Sequence, residues 1–278
     1  MALLAGVSFG IAFAATAVLL VLAAVLWLFR RRQVPQNRDT ELSDTRALLP
    51  VTLDARFDVF VSYRHTEWRI VDAVHDKLRL SGLRASKVAD GYVEGRSFDE
   101  QALNAVCAAA VFAPVVTIEL LQSFAHAPQA PAADTVLAEW LSALYFRDGP
   151  RPHGGAVRGV CPLLLGADEG NRWRSLVDDP AYAAALAALP NKVPAATTAL
   201  VDATLRSALG IGLPDTFASL TVREIALGRP AQGNTPAICG VLSSSAAVSL
   251  ACRHDDLDLY IRNRFAVTIR ALVDSGAA

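Results

Sequence analysis

The chain has 278 residues, of which 53% are apolar and 19% charged, and its formal net charge is −1 at pH 7. This composition can supply a buried core and argues against a wholly disordered chain. A pI near 6.5 gives no basic surface of the kind that binds phosphate backbones, so nucleic-acid binding is not expected.

The N-terminal segment predicts a membrane anchor. Residues 2–29 carry no charge and, as a helix, would extend about 42 Å, more than the roughly 30 Å of hydrocarbon in a bilayer. A cleavable signal peptide is the alternative, but it has its basic segment before a shorter apolar run. Here Arg30, Arg31 and Arg32 follow the run, which predicts a single-pass protein with its N-terminus outside or lumenal and the remainder cytosolic. Residues 1–32 are therefore the predicted anchor and basic stop.

A polar segment separates the anchor from the folded part. Residues 33–54 lack periodicity and have the composition of a solvated juxtamembrane linker. The dense apolar run Phe57–Tyr63 then predicts a buried strand, and the helical spacing of apolar residues over Trp68–Leu80 predicts a helix.

Strands and helices continue to alternate after this first pair. The predicted elements are a strand at Leu83–Val88, a loop at Ala89–Ser97, a helix near Phe98–Ala108, a strand at Ala109–Thr117, a helix from about Asp134 and a strand at Val160–Gly166. Strands separated by helices of this length form βαβ crossovers. The sequence therefore predicts a doubly wound α/β fold, with a parallel sheet and helices on both faces.

The cysteines and histidines do not form a ligand pattern. Four cysteines lie in apolar stretches without CxxC spacing, and five histidines are scattered along the chain. The sequence therefore predicts no metal and no disulfide framework, with the cysteines as small core residues in a reducing compartment.

Several motifs, in order, resemble the TIR (Toll/interleukin-1 receptor) domain family. Residues 57–64, with the sequence FDVFVSYR, resemble its opening strand, and Asp90–Phe98 resembles its BB loop. Val111–Thr117 resembles the third strand, and Asp134–Trp140 resembles the helix that carries the acidic residue of NAD-cleaving members. The resemblance covers roughly residues 56–166.

The sequence departs from the family pattern at three places. Thr117 stands where a serine is usual, Ser86 or Lys87 where the second strand often ends in aspartate, and Phe98 where many relatives have tryptophan. These differences bear on the chemistry of the loops more than on the fold.

The resemblance implies a flavodoxin-like doubly wound parallel sheet, with the TIR domain over residues 55–190 and a helical C-terminal extension over 191–278. Predicted helices in this last part of the chain lie at about Arg172–Leu189, Ala195–Leu209, Asp215–Ala226 and Asp256–Val273, whereas Ile238–Cys252 is compatible with strand or helix. A TIR domain still needs a final strand and helix after residue 166, so part of this region is expected to complete the sheet.

The predicted site lies at the carboxyl ends of the strands, where open parallel sheets bind ligands. Arg64 and His65 follow the first strand, the BB loop follows the second, and Glu139 lies on the helix reached after the third. The family contains enzymes that cleave NAD and adaptors that only bind other TIR domains. The sequence is compatible with either function.

In the NAD-cleaving relatives the functional glutamate lies near the start of this helix, which implies that Glu139 is the catalytic residue and that NAD is a substrate, with no other cofactor. Glu139 is expected at the border of an apolar helix face that includes Leu137, Trp140, Leu141 and Leu144. The alternative for Glu139 is a solvated helix glutamate.

The remaining site residues are predicted to bind substrate or partners. Arg64 could bind a pyrophosphate or make a domain contact, and Phe98 could stack on a base or pin the loop to the core. His65 and Gly95 complete the predicted substrate-binding set. The predicted interaction loop, which would mediate self-association or gate the site, contains Asp90, Gly91, Tyr92, Glu94 and Arg96. Expected partners are NAD, other TIR domains or a second copy of the chain, and a membrane through residues 2–29.

Overall fold

The computed structural model describes residues 57–87, 98–127, 132–150, 156–168, 173–233, 235, 237–250 and 257–275. All of them belong to one compact unit, Leu48–Ala278. No helix in these ranges is long and apolar enough to cross a bilayer. The predicted anchor and linker, residues 1–54, lie outside the described ranges.

A parallel sheet forms the centre of the described structure. The strands in chain order are β1 (Phe57–Ser62), β2 (Ala85–Lys87), β3 (Ala109–Val116), β4 (Gly159–Val160), β5 (Leu163–Leu165), β6 (Ala167–Asp168), β7 (Trp173–Arg174) and β8 (Val248–Leu250). The sheet has the order β2-β1-β3-β5-β8, with β4 also paired to β3, and all of these pairings are parallel. Strands β6 and β7 form a separate antiparallel pair. The parallel α/β fold is confirmed, and its strand order is the one found in flavodoxin-like sheets.

Helices cover both faces of this sheet. They are α1 (Trp68–Leu80), α2 (Phe98–Cys107), α3 (Ile118–His126), α4 (Thr135–Asp148), α5 (Pro180–Ala187), α6 (Ala195–Leu209), α7 (Asp215–Ala218), α8 (Val222–Leu227), α9 (Leu257–Tyr260) and α10 (Ala266–Ser275), with a π-helical turn at Ile261–Phe265 joining the last two. Short 3₁₀ turns occur at His65–Glu67 and Leu176–Asp178.

The alternation of side chains along β1 separates two cores. Val59 and Val61 pack with α1 and with the helical segment from α9 to α10, whereas Phe60 packs with α2, α3 and α4. Successive side chains of a strand point to opposite faces. Ser62 therefore shares the face of Phe60, towards α4.

Several predicted elements differ from the observed ones for local reasons. Helix α3 was not predicted, although Thr117 caps it by accepting a hydrogen bond from the Leu120 amide. The single predicted strand at Val160–Gly166 is divided into β4 and β5, because Pro162 lies between them and has no N–H to donate to a ladder. The predicted helix Arg172–Leu189 begins only at Pro180, where Asp179 provides the cap.

The last strand of the sheet comes from near the C-terminus. Leu163 of β5 is paired with Val248 of β8, which places a strand inside the ambiguous segment Ile238–Cys252. The predicted domain boundary at residue 190 falls between α5 and α6. Helices α6, α7 and α8 therefore interrupt the sheet before its last strand, and α6 and α8 pack against α4.

Candidate functional site

A buried hydrogen bond joins β1 to α4 at the carboxyl edge of the sheet. Ser62, the last residue of β1, donates its hydroxyl proton to Oε2 of Glu139 across 2.5 Å. Ser62 is 0% and Glu139 1% exposed. This hydrogen bond connects the end of β1 to α4 in the interior of the domain.

Helix α4 is buried on every side, which corrects the prediction for Glu139. All residues from Val136 to Phe146 are buried, and α2, α6 and α8 pack around the helix. The expectation that Glu139 lies at the border of a single apolar face is wrong, and the solvated alternative is wrong as well. Within 136–146 only Glu139 and Ser142 are polar, and a helix that is apolar almost all round is usually buried. That signal was present in the sequence.

Arg64 lies beside the first turn of the same helix. Its Nη2 donates to Oδ2 of Asp134 in a part-buried ion pair, and its guanidinium carbon lies 5.7 Å from the centroid of the Phe124 ring. This distance allows a cation–π contact. The arginine predicted to meet a pyrophosphate is therefore paired with a carboxylate of its own chain.

Asp134 connects three parts of the structure. Its Oδ1 accepts a hydrogen bond of 2.9 Å from the Leu137 amide and so caps α4. Its backbone amide donates to the hydroxyl of Thr197 in α6 across 3.0 Å. Together with the bond to Arg64, these contacts tie the end of β1, the start of α4 and the start of α6 to one residue.

A cavity of about 290 Å³ opens at the carboxyl ends of β1, β3 and β5. This is where the strand order reverses, the usual position of ligand sites in doubly wound sheets. Its volume is at the lower limit of typical small-molecule pockets. The lining combines apolar side chains with two carboxylates, one guanidinium and two hydroxyls, and consists of Thr66, Glu67, Arg69, Ile70, Thr117, Ile118, Glu119, Leu165, Gly166 and Leu176. Neither Arg64 nor Glu139 belongs to it.

The other predicted site residues either belong to described helical elements or lie outside the described ranges. His65 is exposed in the 3₁₀ turn after β1, and Phe98 is the first residue of α2. The rest of the predicted set lies outside the described residues, namely Asp90, Gly91, Tyr92, Glu94, Gly95 and Arg96. The residues brought together at the end of β1 are Ser62, Arg64, Asp134 and Glu139.

Sequence reasoning missed the roles of Ser62 and Asp134. Asp134 stands directly before an apolar helical run, which is the pattern of an N-cap. Ser62 carried a weaker signal, as a polar residue on the same face of a buried strand as Phe60. Its partner could not be read from the sequence, because Glu139 lies 77 residues further along the chain.

The described cysteines are divided between the core and the surface. Cys107 and Cys161 are buried, and burial raises the pKa of both thiols, that of Cys161 to about 12. Thiols of this kind stay protonated and are poor nucleophiles. Cys239 is exposed, so the prediction of a core position was wrong there, and Cys252 lies outside the described residues. The described residues include no cluster of three or more His, Cys, Asp or Glu side chains that could hold a metal.

No family model matches the sequence, and no curated protein matches it.

Proposed function

We propose that the chain is a membrane-anchored TIR-domain protein whose cytosolic domain hydrolyses NAD to nicotinamide and ADP-ribose, or a cyclic form, when it self-associates. The observation that carries the proposal is the buried carboxylate of Glu139, held by Ser62 at the edge of the sheet where doubly wound folds bind ligands. The TIR-like motifs around both residues support the same reading.

Burial of a carboxylate is costly, so its presence calls for a physical reason. An isolated charge in an apolar interior is unfavourable by several kcal/mol unless it is paired or hydrogen-bonded. A hydrophobic side chain would complete the all-round apolar helix α4 more simply. Positions at which a fold departs from its own packing pattern are often functional positions. Glu139 is such a position.

The proposed reaction needs little more than one oriented carboxylate. The bond between ribose C1′ and the pyridinium nitrogen breaks, and its electron pair goes to that nitrogen, so that nicotinamide leaves as a neutral molecule. Water then adds to C1′ and loses a proton, which gives linear ADP-ribose. Alternatively, a nucleophilic atom elsewhere in the same ADP-ribosyl group bonds to C1′ and closes a ring. A carboxylate in a water-poor site stabilises the oxocarbenium-like charge that develops on the ribose. This role is proposed for Glu139.

Substrate access requires an opening near the start of α4. Glu139 is 1% exposed, and Arg64 is occupied by Asp134. In the proposed reacting state, the pyrophosphate of NAD replaces Asp134 as the partner of Arg64. Self-association would supply the free energy for this exchange, and membrane confinement would raise the local concentration of domains.

The test measures nicotinamide release by the full chain in lipid vesicles at increasing protein density. Density-dependent release is expected from the parent chain, and Glu139→Ala and Glu139→Gln are expected to reduce it at least about 100-fold, since they remove the charge that acts in the transition state. The product is identified by chromatography as linear or cyclic ADP-ribose.

The matched control is Glu119→Gln, which removes a carboxylate that lines the cavity. Release close to that of the parent chain is expected. No release at any protein density, or unchanged release by Glu139→Ala, would refute the enzyme. Loss in Glu119→Gln without loss in Glu139→Gln would move the reaction to the cavity and contradict the proposed role of Glu139.

A non-enzymatic adaptor that recruits other TIR domains is the second candidate. It is favoured by the complete burial of Glu139 and by its absence from the cavity lining, because a carboxylate between a strand and a helix can also serve packing alone. The adaptor predicts that vesicles carrying the chain bind a second TIR domain, that Glu139→Gln leaves this binding unchanged, and that NAD is not consumed.

A further inference from the structure

The hydroxyl of Ser62 is held in place by the sheet. Ser62 ends β1, a strand that lies between β2 and β3, and its backbone is in register with Pro114 of β3. The residue is fully buried, so its side chain cannot turn towards solvent. Its Oγ is thus a buried donor on an interior strand of the sheet.

Glu139, in contrast, is carried on a side chain with three rotatable bonds. An acceptor of this length loses considerable rotamer freedom when it is ordered in the interior. The hydrogen bond from Ser62 holds Oε2 of Glu139 2.5 Å from the Oγ at the end of β1. The Ser62 hydroxyl is a rigidly held donor and the Glu139 carboxylate is a flexible acceptor. In functional sites, a rigid neighbouring group of this kind orients a flexible side chain through a hydrogen bond.

The surroundings of this hydrogen bond are largely apolar. On the same face of the sheet, the rings of Phe60 and Phe112 are stacked with their centroids 6.3 Å apart, and Trp140 next to Glu139 is fully buried. Hydrogen bonds are electrostatically stronger in such a medium than in water, and the free-energy cost of removing one partner is larger. The orientation of Glu139 therefore depends on Ser62 more than it would at a surface.

We propose that Ser62 is a positioning residue for Glu139, orienting its carboxylate for the cleavage reaction through the buried hydrogen bond without contacting the substrate. This inference rests on the proposed function. It predicts that the hydroxyl at position 62 affects turnover and not substrate binding, because a misoriented carboxylate still permits NAD to bind but stabilises the transition state poorly.

Three substitutions in the full chain separate the hydroxyl from the volume at position 62. Ser62→Ala removes the donor, Ser62→Cys keeps a similar volume with a weak donor, and Ser62→Thr keeps the hydroxyl with an added methyl group. In the vesicle assay, we expect the Ala and Cys variants to lose about 10- to 100-fold in kcat, with KM within about twofold of the parent. Ser62→Thr is expected to recover kcat to within about fivefold of the parent.

Two kinetic outcomes would overturn the positioning role. One is a kcat for Ser62→Ala equal to that of an active parent chain, and the other is a loss in Ser62→Thr as large as that in Ser62→Ala, which would assign the effect to packing. Thermal melting of each variant identifies any loss that comes from unfolding. A parent chain that releases no nicotinamide would instead refute the proposed function itself, so the two failures are distinct.

A measurement without turnover tests the contact directly. The chain is labelled with ¹³C at the side-chain carboxyl of glutamate, and the Glu139 resonance is identified by its loss in Glu139→Gln. Ser62→Ala is expected to shift this resonance and Ser62→Thr to leave it near its original position. An unchanged resonance in Ser62→Ala would show that the hydroxyl does not hold the carboxylate in solution, and the inference would fail.

Discussion

The two faces of the sheet bury different kinds of side chain. Under α1 and the segment from α9 to α10, the core is mostly aliphatic or aromatic, as Val61, Phe265 and Ile269 illustrate, although His75 of α1 is also buried. The opposite face, under α4 and α6, is also apolar but buries several polar side chains, namely Ser62, Glu139, Ser142, Thr197 and Thr204. The second face thus contains a buried hydrogen bond between a strand and a helix, from Ser62 to Glu139, within an otherwise apolar core.

This difference lies in the buried polar side chains, because both faces bury large apolar clusters. Apolar burial stabilises in proportion to area and requires no specific partner. Buried polar groups contribute little net free energy and are costly when a partner is lost. Apolar side chains on both faces are therefore expected to supply most of the stability, and the larger apolar cluster lies under α4 and α6. The buried polar side chains of that face constrain the geometry at the end of β1. The following substitutions test that division.

The largest expected loss of stability follows a substitution in the core under α1 and the segment from α9 to α10. Phe265 is fully buried in the π-helical turn, and Phe265→Ala should lower the free energy of unfolding by about 3–5 kcal/mol, because it removes apolar contacts and leaves a cavity. Denaturant titration measures the change. Val267, two residues away and 59% exposed, provides the control, and Val267→Ala should cost at most about 0.5 kcal/mol. Equal costs for the two substitutions would contradict a core on this face.

A smaller effect is expected when the polar face loses its carboxylate. Glu139→Ala should destabilise the chain by about 1–3 kcal/mol, because the buried hydroxyl of Ser62 loses its acceptor. Glu139→Gln should cost less, since an amide oxygen can still accept the proton. Both values come from the same titrations as for Phe265→Ala. If Glu139→Ala proved as costly as Phe265→Ala, the two faces would not differ in the way described.

Substitutions of Asp134 distinguish the stability that comes from helix capping from the stability that comes from its ion pair with Arg64. Asp134→Ala should cost about 1 kcal/mol or more, because it removes the helix cap together with the partner of Arg64. Asp134→Asn keeps a capping oxygen and removes only the charge, so its cost should be smaller and should decrease at high salt. Unfolding at two ionic strengths measures both. If Asp134→Asn lowered the free energy of unfolding as much as Asp134→Ala, the ion pair and not the cap would stabilise the start of α4.

The smallest effect is expected at the outer end of β1, away from both cores. Asp58 accepts hydrogen bonds from Arg84, and although burial opposes the shift, the bonds and the positive charge of Arg84 together lower the pKa of Asp58 below its ordinary 3.8. A lowered folded-state pKa contributes stability above pH 3.8 and loses it as the pH falls through the folded-state value. The contribution should be less than about 1 kcal/mol, because the Arg84 side chain is 61% exposed.

Comparison of Asp58→Asn with the parent chain between pH 3 and pH 7 tests this sign. The parent should be more stable near neutral pH, and the difference should diminish on acidification. A difference that grows as the pH falls would contradict the lowered pKa of Asp58.

Elements with strong local patterns were predictable from the sequence. The observed helix α1 has the predicted bounds Trp68–Leu80, and β1 and β3 each end within one residue of the prediction. In these segments the apolar spacing is dense and agrees with the final burial. Helix α3 escaped prediction because its signals are few: one capping threonine, Thr117, and three buried apolar side chains over nine residues.

The candidate site was only partly predictable. The carboxyl-edge rule and the TIR resemblance pointed to Arg64 and Glu139 from the sequence alone. The ion pair between Arg64 and Asp134 and the hydrogen bond between Ser62 and Glu139 join residues that are 70 and 77 positions apart. No local periodicity encodes such partners.

The sequence by itself therefore determined the alternation of strands and helices and the edge at which polar side chains gather, because both follow from periodicity and chain direction. Only the tertiary structure decided that Glu139 is buried, because α6 and α8 return from more than 50 residues further along the chain to cover α4. Only it decided that Asp134 is the partner of Arg64. Local propensity determines which elements form, whereas contacts between distant segments determine which side chains lose water and which groups replace it.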